Sequence, residues 1–199
     1  MKNLFRKKRS AYQVEKFTGT GTVLVSNIIN VAQLAQNVDP EDLIRILKRY
    51  LDHVLPIIEK HSGVVLRFEG DAVLAFWSPK HTAPSHAQLA FDAARTILDS
   101  LPDLVAKKEH VIYHVDIILG TGDMAGDFFG PAKQFEIVGK AMAIADRLSR
   151  ARRIDRSLIR MSQYTANLLS HLEDLEQTES ITAGYMEYLD IFIYYPAKS

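Results

Sequence analysis

One carboxylate lies at the centre of the chain's most informative segment, Arg67-Phe68-Glu69-Gly70-Asp71. Apolar residues run on both sides of Gly70-Asp71, over residues 62–66 and 72–77, and this pattern predicts a β-hairpin. Gly70 gives the turn its backbone freedom, so Asp71 is placed at the tip of the hairpin. A carboxylate at such a tip is a typical ligand of a divalent cation, and it is equally typical as a turn residue that caps its own backbone. The residues leave both roles open.

The elements around this hairpin follow from periodicity and end signals. Residues 21–29 are β-rich and predict a buried strand, and Asp39-Pro40 predicts the start of a helix that ends near Gly63. Further along we expect a helix over 87–101, a strand over 110–119 that turns at Gly120-Thr121-Gly122, a strand over 134–138, a helix over 139–148, a strand over 158–161, a helix over 163–172 and a hairpin over 181–195 around Ala183-Gly184. The order β-α-β-β-α-β predicts an α+β sandwich of ferredoxin-like type with an added C-terminal β-hairpin.

Composition restricts the class of protein. The chain has 199 residues, of which 47% are hydrophobic, and we expect a basic lead-in over residues 1–20 followed by one domain over 21–199. It contains no cysteine and no apolar run long enough to span a membrane, which favours a cytoplasmic protein. Its 24 basic and 24 acidic residues balance, so no nucleic-acid partner is expected. The basic cluster within residues 2–9 is either a solvated terminus or a weak contact for an anionic membrane surface.

Four segments in order resemble the catalytic domain of the class III nucleotidyl cyclases, the adenylate and guanylate cyclases. They are residues 22–32, the hairpin over 62–77, the glycine-punctuated stretch over 116–130 and the segment over 135–148. The likeness spans roughly residues 20–196 and is greatest to the soluble adenylyl cyclase branch. It implies the ferredoxin-like fold, ATP or GTP as ligand, Mg²⁺ or Mn²⁺ as cofactor, and a homodimer or heterodimer.

The resemblance also implies where the site residues fall. The family's two metal-binding aspartates fall on Asn27 and Asp71, so one of the two ligand positions carries no charge. The purine-contacting positions fall on Arg67 and Gln134. The asparagine that orients the ribose falls on Ala143, which offers no hydrogen bond.

Two further features bear on catalysis. The phosphate-stabilising arginine of the family persists as Arg147, whereas Ile29-Asn30-Val31-Ala32 lacks the glycine and threonine of the family's phosphate loop. Losing one oriented donor typically costs about 10²–10³ in rate, and several groups are altered here together. We therefore expect a domain that has lost catalysis and acts as a dimerising, regulatory or nucleotide-binding module. An active cyclase with an unorthodox metal site and the non-catalytic half of a heterodimeric cyclase are the alternatives. Association is expected through aromatic residues, namely Phe68, Phe128, Phe129 and Phe135.

Overall fold

The structure is a computed structural model that describes residues 14–80, 85–104, 113–151, 156–170, 175–182 and 188–196. The first half of the chain forms β1 (Phe17–Ile28), α1 (Val31–Asn37), α2 (Pro40–Lys60), β2 (Val64–Glu69), β3 (Ala72–Trp77) and α3 (His86–Leu104). The second half forms β4 (Val115–Phe129), β5 (Gln134–Gly139), α4 (Lys140–Arg150), β6 (Leu158–Ser162), α5 (Gln163–Ala166), β7 (Leu175–Thr182) and β8 (Tyr188–Tyr194).

The strands form one sheet whose order is β2-β3-β1-β4-β6-β8-β7, with β5 paired to the far part of β4. β1 lies between β3 and β4 and is antiparallel to both, whereas β6 runs parallel to β4. The order β2-β3-β1-β4, with α2 and α3 as the connecting helices, is the ferredoxin-like arrangement that the sequence predicts. β6, β7 and β8 extend the sheet beyond it.

Successive side chains of β1 point to opposite sides of the sheet. Leu24 and Ile28 pack in a core cluster with α2 and α3, while Val23 packs on the opposite side with Ala141 and Ile144 of α4. Residues of odd number on β1, Asn27 among them, therefore belong to the side that α4 covers. This side holds the candidate site.

The predicted turn at Gly120-Thr121-Gly122 is wrong, because β4 continues through it to Phe129. These glycines serve packing. A Cβ at Gly120 would come within 2.4 Å of the Ala141 carbonyl oxygen, and one at Gly122 would come within 3.1 Å of the Ala141 nitrogen. The small residues let α4 lie directly on the strand.

Other boundaries differ more modestly. β1 begins at Phe17, so the last residues of the predicted lead-in already belong to the sheet, and α5 ends at Ala166, before the predicted end at residue 172. The closing hairpin is confirmed, but its first strand starts earlier, at Leu175. The expected turn at Ala183-Gly184, the start of the strand at residues 110–112 and the basic cluster within residues 2–9 lie outside the described residues. No helix in the described ranges is long and apolar enough to cross a membrane.

Candidate functional site

The β2–β3 hairpin holds Asp71 against the end of β1. Gly70 has φ +61°, a left-handed conformation that glycine adopts without strain, and Asp71 follows it directly. The Asp71 Oδ2 atom accepts a hydrogen bond from the backbone N–H of Ile28 at 3.0 Å. Because Ile28 is the last residue of β1, this bond fixes the hairpin tip beside Asn27. The structure thus brings the Asp71 carboxylate to the residue next to Asn27, and these are the two positions that the resemblance implies for metal ligands.

Asn27 itself faces a buried acid on the neighbouring strand. Asn27 and Asp116 are directly opposite in the antiparallel β1–β4 ladder, and residues paired in this way project on the same face. Asp116 is only 8% exposed. Sequence reasoning missed this residue, since nothing in its local pattern separates it from an ordinary strand position.

Asp116 is held by a buried arginine from β6. Arg160 Nε donates to Asp116 Oδ1 at 3.0 Å, its Nη2 donates to Asp116 Oδ2, and Arg160 is 2% exposed. Arg160 Nη1 also lies 3.5 Å from the carbonyl oxygen of Ala151, just past the end of α4. A forked contact of this kind engages both carboxylate oxygens, so Asp116 has a partner within the protein and is a poor ligand for a cation.

Below the end of β1, Tyr50 of α2 contributes a buried hydroxyl group. Ser26 Oγ and the Tyr50 hydroxyl share a short hydrogen bond. Burial raises the pKa of Tyr50 well above its ordinary value, the Ser26 hydrogen bond opposes this rise, and the negative charge of Asp71 adds to it. Tyr50 is therefore a neutral phenol under ordinary conditions and supplies no charge to the site.

The partner of Arg67 in the structure is Glu136. Arg67 Nη1 lies 2.5 Å from Glu136 Oε2, and Arg67 Nε lies 3.4 Å from Glu69 Oε1. Gln134, where the resemblance places the second purine-contacting position, is exposed and pairs with Phe129 at the start of β5. Sequence reasoning missed Glu136, although an acid two residues along the same face of the strand is the better electrostatic match for an arginine.

Arg67 also lines a cavity of about 220 Å³ between the β1–β3–β2 side of the sheet and α4. Glu69 and Asp146 bring acids to the cavity, and Val25, Leu74 and Met142 give it apolar walls. Asp146 is already paired with Arg150, whose Nη2 lies 3.0 Å from Asp146 Oδ2. The cavity is small, mostly apolar, and joined to the Arg67–Glu136 pair.

Ala143 and Arg147 lie one turn apart on α4, outside that cavity. Ala143 is exposed and Arg147 is half-buried. Across the part of the chain that the structure describes, Arg147 has neither a hydrogen-bond nor an ion-pair partner. The six predicted positions thus separate into Asn27 with Asp71, Arg67 in the cavity, Gln134 on β5, and Ala143 with Arg147 on α4.

The donors at the end of β1 do not fit a two-metal centre. Within the described ranges, no three side chains of His, Cys, Asp or Glu come together as a cation site. One oxygen of Asp71 already accepts the Ile28 N–H, and Asn27 offers only a neutral amide oxygen. Both oxygens of Asp116 are bound by Arg160. Hard divalent ions depend on several oxygen ligands, with carboxylates foremost.

Residues 14–187 match the sequence model of the adenylate and guanylate cyclase catalytic domain. The chain belongs to this family. The matched region contains the elements from β1 to β7, including the Gly70-Asp71 hairpin and α4, and ends just before β8. The resemblance inferred from four short segments is thereby confirmed.

Curated relatives match part of the chain. An uncharacterized protein of Mycobacterium tuberculosis is 27% identical over 128 residues, which are 63% of this chain and 23% of the relative. Adenylate cyclase 1 of Rhizobium meliloti is 25% identical over 80 residues, 40% of this chain and 12% of that protein. The chain therefore matches about a quarter or less of the length of these relatives.

Solved structures confirm the fold. The adenylyl cyclase CyaB from P. aeruginosa superposes with a TM-score of 0.79 at 22% identity, over 93% of this chain and 98% of that chain. The guanylate cyclase domain of RhGC from Catenaria anguillulae, solved in complex with GTP, gives a TM-score of 0.78 at 16% identity, over 93% of this chain and 100% of that chain. The chain therefore shares its fold with these cyclase structures.

Proposed function

We propose that this chain is a cyclase-homology domain that does not cyclise nucleotides and that acts as a dimerising, regulatory module. One observation carries the proposal. At the end of β1, where the family requires two aspartates, Asp71 lies beside the neutral Asn27, and the nearby acid Asp116 is bound by Arg160. A cyclase needs cations there both to activate the attacking hydroxyl and to neutralise the triphosphate.

The α4 side supports the same conclusion. Ala143 is exposed and carries no group that could orient a ribose, so the arrangement lacks a donor on the helix as well as a ligand on the strand. Because both defects are in one chain, a symmetric homodimer would repeat them in each of its sites.

Association is the activity for which the surface is best suited. Four large apolar side chains on the β2–β3 and β4–β5 hairpins are exposed: Phe68 at 55%, Phe128 at 43%, Phe129 at 49% and Val138 at 55%. Phe128 packs edge-on against Phe135, with ring centroids 5.1 Å apart, so the aromatic surface is fixed in place. Large apolar side chains exposed in this way are candidates for an interface with another chain.

A second candidate is the non-catalytic half of a heterodimeric cyclase. Arg147 favours it, since this half-buried guanidinium has no partner among the described residues and remains available to an anionic group on another chain. In this case the complete partner, and not this chain, would supply the two aspartates.

The test is a cyclase assay combined with binding. Purified protein is incubated with ATP and with GTP in Mg²⁺ and in Mn²⁺, and the same preparation is titrated with both nucleotides by calorimetry. We expect no cyclic product, with or without measurable nucleotide binding. Turnover that disappears in the Asp71→Ala variant would establish the active-cyclase alternative instead.

A further inference from the structure

We propose that the end of β1 is a cation-independent joint, in which protein hydrogen bonds and the Arg160–Asp116 pair fill the places that divalent cations would otherwise take. In this arrangement Asp71 is a positioning residue that clamps a strand end. The inference goes beyond the loss of turnover, because it concerns what the residues at this position do instead.

The backbone after β1 is fixed from within the chain. Ile28 N–H donates to Asp71 Oδ2 at 3.0 Å, and Ile29 N–H donates to the His114 carbonyl oxygen at 2.7 Å. The backbone N–H of His114 in turn donates to the side-chain oxygen of Asn30 at 3.4 Å. The segment that would have to wrap around a cation is thus held by the turn between β2 and β3, by His114 just before β4, and by its own Asn30.

The charges are also balanced without a cation. Asp116, the acid across from Asn27, has both oxygens engaged by one guanidinium, and both partners are almost fully buried. A fixed guanidinium carries a permanent positive charge in a rigid fork that suits a carboxylate, so no added cation is needed to neutralise Asp116. The remaining carboxylate, that of Asp71 at the hairpin tip, already accepts the Ile28 N–H with one of its two oxygens.

The residue at position 27 determines whether the end of β1 binds a cation or is held without one. An amide oxygen beside Asp71 adds no negative charge, whereas an aspartate there would be a second carboxylate at the strand end, next to Asp71 and opposite Asp116, whose charge Arg160 already offsets. Two neighbouring carboxylates that no guanidinium neutralises repel each other unless a cation joins them. The inference therefore predicts that Asn27→Asp converts the joint into a cation site.

The test uses Mn²⁺ alone, followed by the loss of the free-ion signal in electron paramagnetic resonance and by thermal melting. We expect the wild type to take up no Mn²⁺ at micromolar concentrations and to melt at the same temperature with and without the ion. Asn27→Asp should melt lower than the wild type, bind Mn²⁺ at least about tenfold more tightly, and regain stability when the ion is added. Asn37→Asp, on exposed α1, adds the same charge elsewhere and should behave like the wild type in Mn²⁺ uptake.

Stoichiometric Mn²⁺ uptake by the wild type that is abolished in Asp71→Asn would overturn the inference, and this measurement does not depend on whether Asn27→Asp folds. Folded Asn27→Asp with no gain in Mn²⁺ uptake would also contradict it, since Asn27 would not be what withholds the site. Mn²⁺ uptake at Asp71 without cyclic product would overturn this inference and leave the proposed function standing.

Discussion

The carboxylate of Asp71 accepts the backbone N–H of Ile28 at 3.0 Å, which joins the turn of one hairpin to the last residue of the central strand. Through this hydrogen bond Asp71 stabilises the fold without a bound cation. The same bond also explains how a turn residue can be positioned beside Asn27 although the two are far apart in sequence.

Replacement of Asp71 separates the structural role from the charge. Asp71→Ala leaves the part-buried Ile28 N–H without its acceptor, and we expect it to lower the free energy of unfolding by about 1–3 kcal/mol. Asp71→Asn keeps an acceptor oxygen and should cost less than about 1 kcal/mol. Urea denaturation of both variants checks this. Equal losses in the two variants would mean that the negative charge, and not the hydrogen bond, is what matters.

The Arg160–Asp116 pair should be costly to break from one side. Asp116→Asn leaves the guanidinium of Arg160 buried without its counter-charge, and we expect a loss of about 3–5 kcal/mol in the free energy of unfolding. The exposed pair Lys48–Asp52 is the control, because Asp52→Asn should change stability by no more than about 1 kcal/mol. Replacing both buried partners, as Asp116→Leu with Arg160→Met, should cost less than Asp116→Asn alone. Similar small effects at the buried and exposed acids would contradict the role given to the buried pair.

Tyr50 predicts a pH dependence at the alkaline end. Its pKa is raised in the folded protein, chiefly by burial, so the folded state keeps its proton where the unfolded state has lost it. The stability that this provides is complete below the ordinary tyrosine pKa of about 10 and falls as the pH rises above that value.

The measurement is the free energy of unfolding of the wild type and of Tyr50→Phe between neutral pH and about pH 11, where tyrosine ionises in the unfolded chain. Tyr50→Phe loses the Ser26 contact and should be less stable at neutral pH, but its stability should decline less steeply at alkaline pH. Parallel pH profiles for the two proteins would show that Tyr50 ionises as freely in the folded state as in the unfolded one.

Association should depend on the exposed aromatic surface. We expect the wild type to sediment as a dimer or larger species at micromolar concentration, and Phe128→Ser with Phe129→Ser to shift it towards monomer, because these side chains are about half exposed in the single chain. Ile44→Ser removes an exposed apolar residue from α2 and is the matched control. A wild type that is monomeric at these concentrations, with no partner chain bound, would rule out self-association.

Local signals predicted most of the fold, and contacts between distant residues account for the rest. The β2–β3 hairpin and the start of α2 at Pro40 could be inferred because a glycine turn and an Asp-Pro start act within a few residues. Gly120 and Gly122 looked like a turn, because sequence alone does not tell a flexible glycine from one that makes room for α4.

The candidate site shows the same division. Asp71 could be found from its hairpin and Asn27 from the resemblance to the cyclases, and in the structure Asp71 accepts a hydrogen bond from the residue after Asn27. Glu136 and Arg160 were missed, because each pairs with a residue on a strand that is distant in sequence, Glu136 with Arg67 and Arg160 with Asp116. Charge complementarity was the available signal for Glu136, and for the buried Asp116–Arg160 pair there was none before the strands were paired.

Cyclic nucleotide formation in Mn²⁺ shows whether this domain has lost turnover. Wild type, Asn27→Asp, Ala143→Asn and the combined variant are assayed side by side with ATP and GTP. Since a metal ligand and a ribose donor act on one transition state, their effects should be strongly non-additive. We predict no product from the wild type or from either single variant, and any recovery only in the combined one. Robust product from the wild type that is lost in Asp71→Ala would show that the domain is an active cyclase.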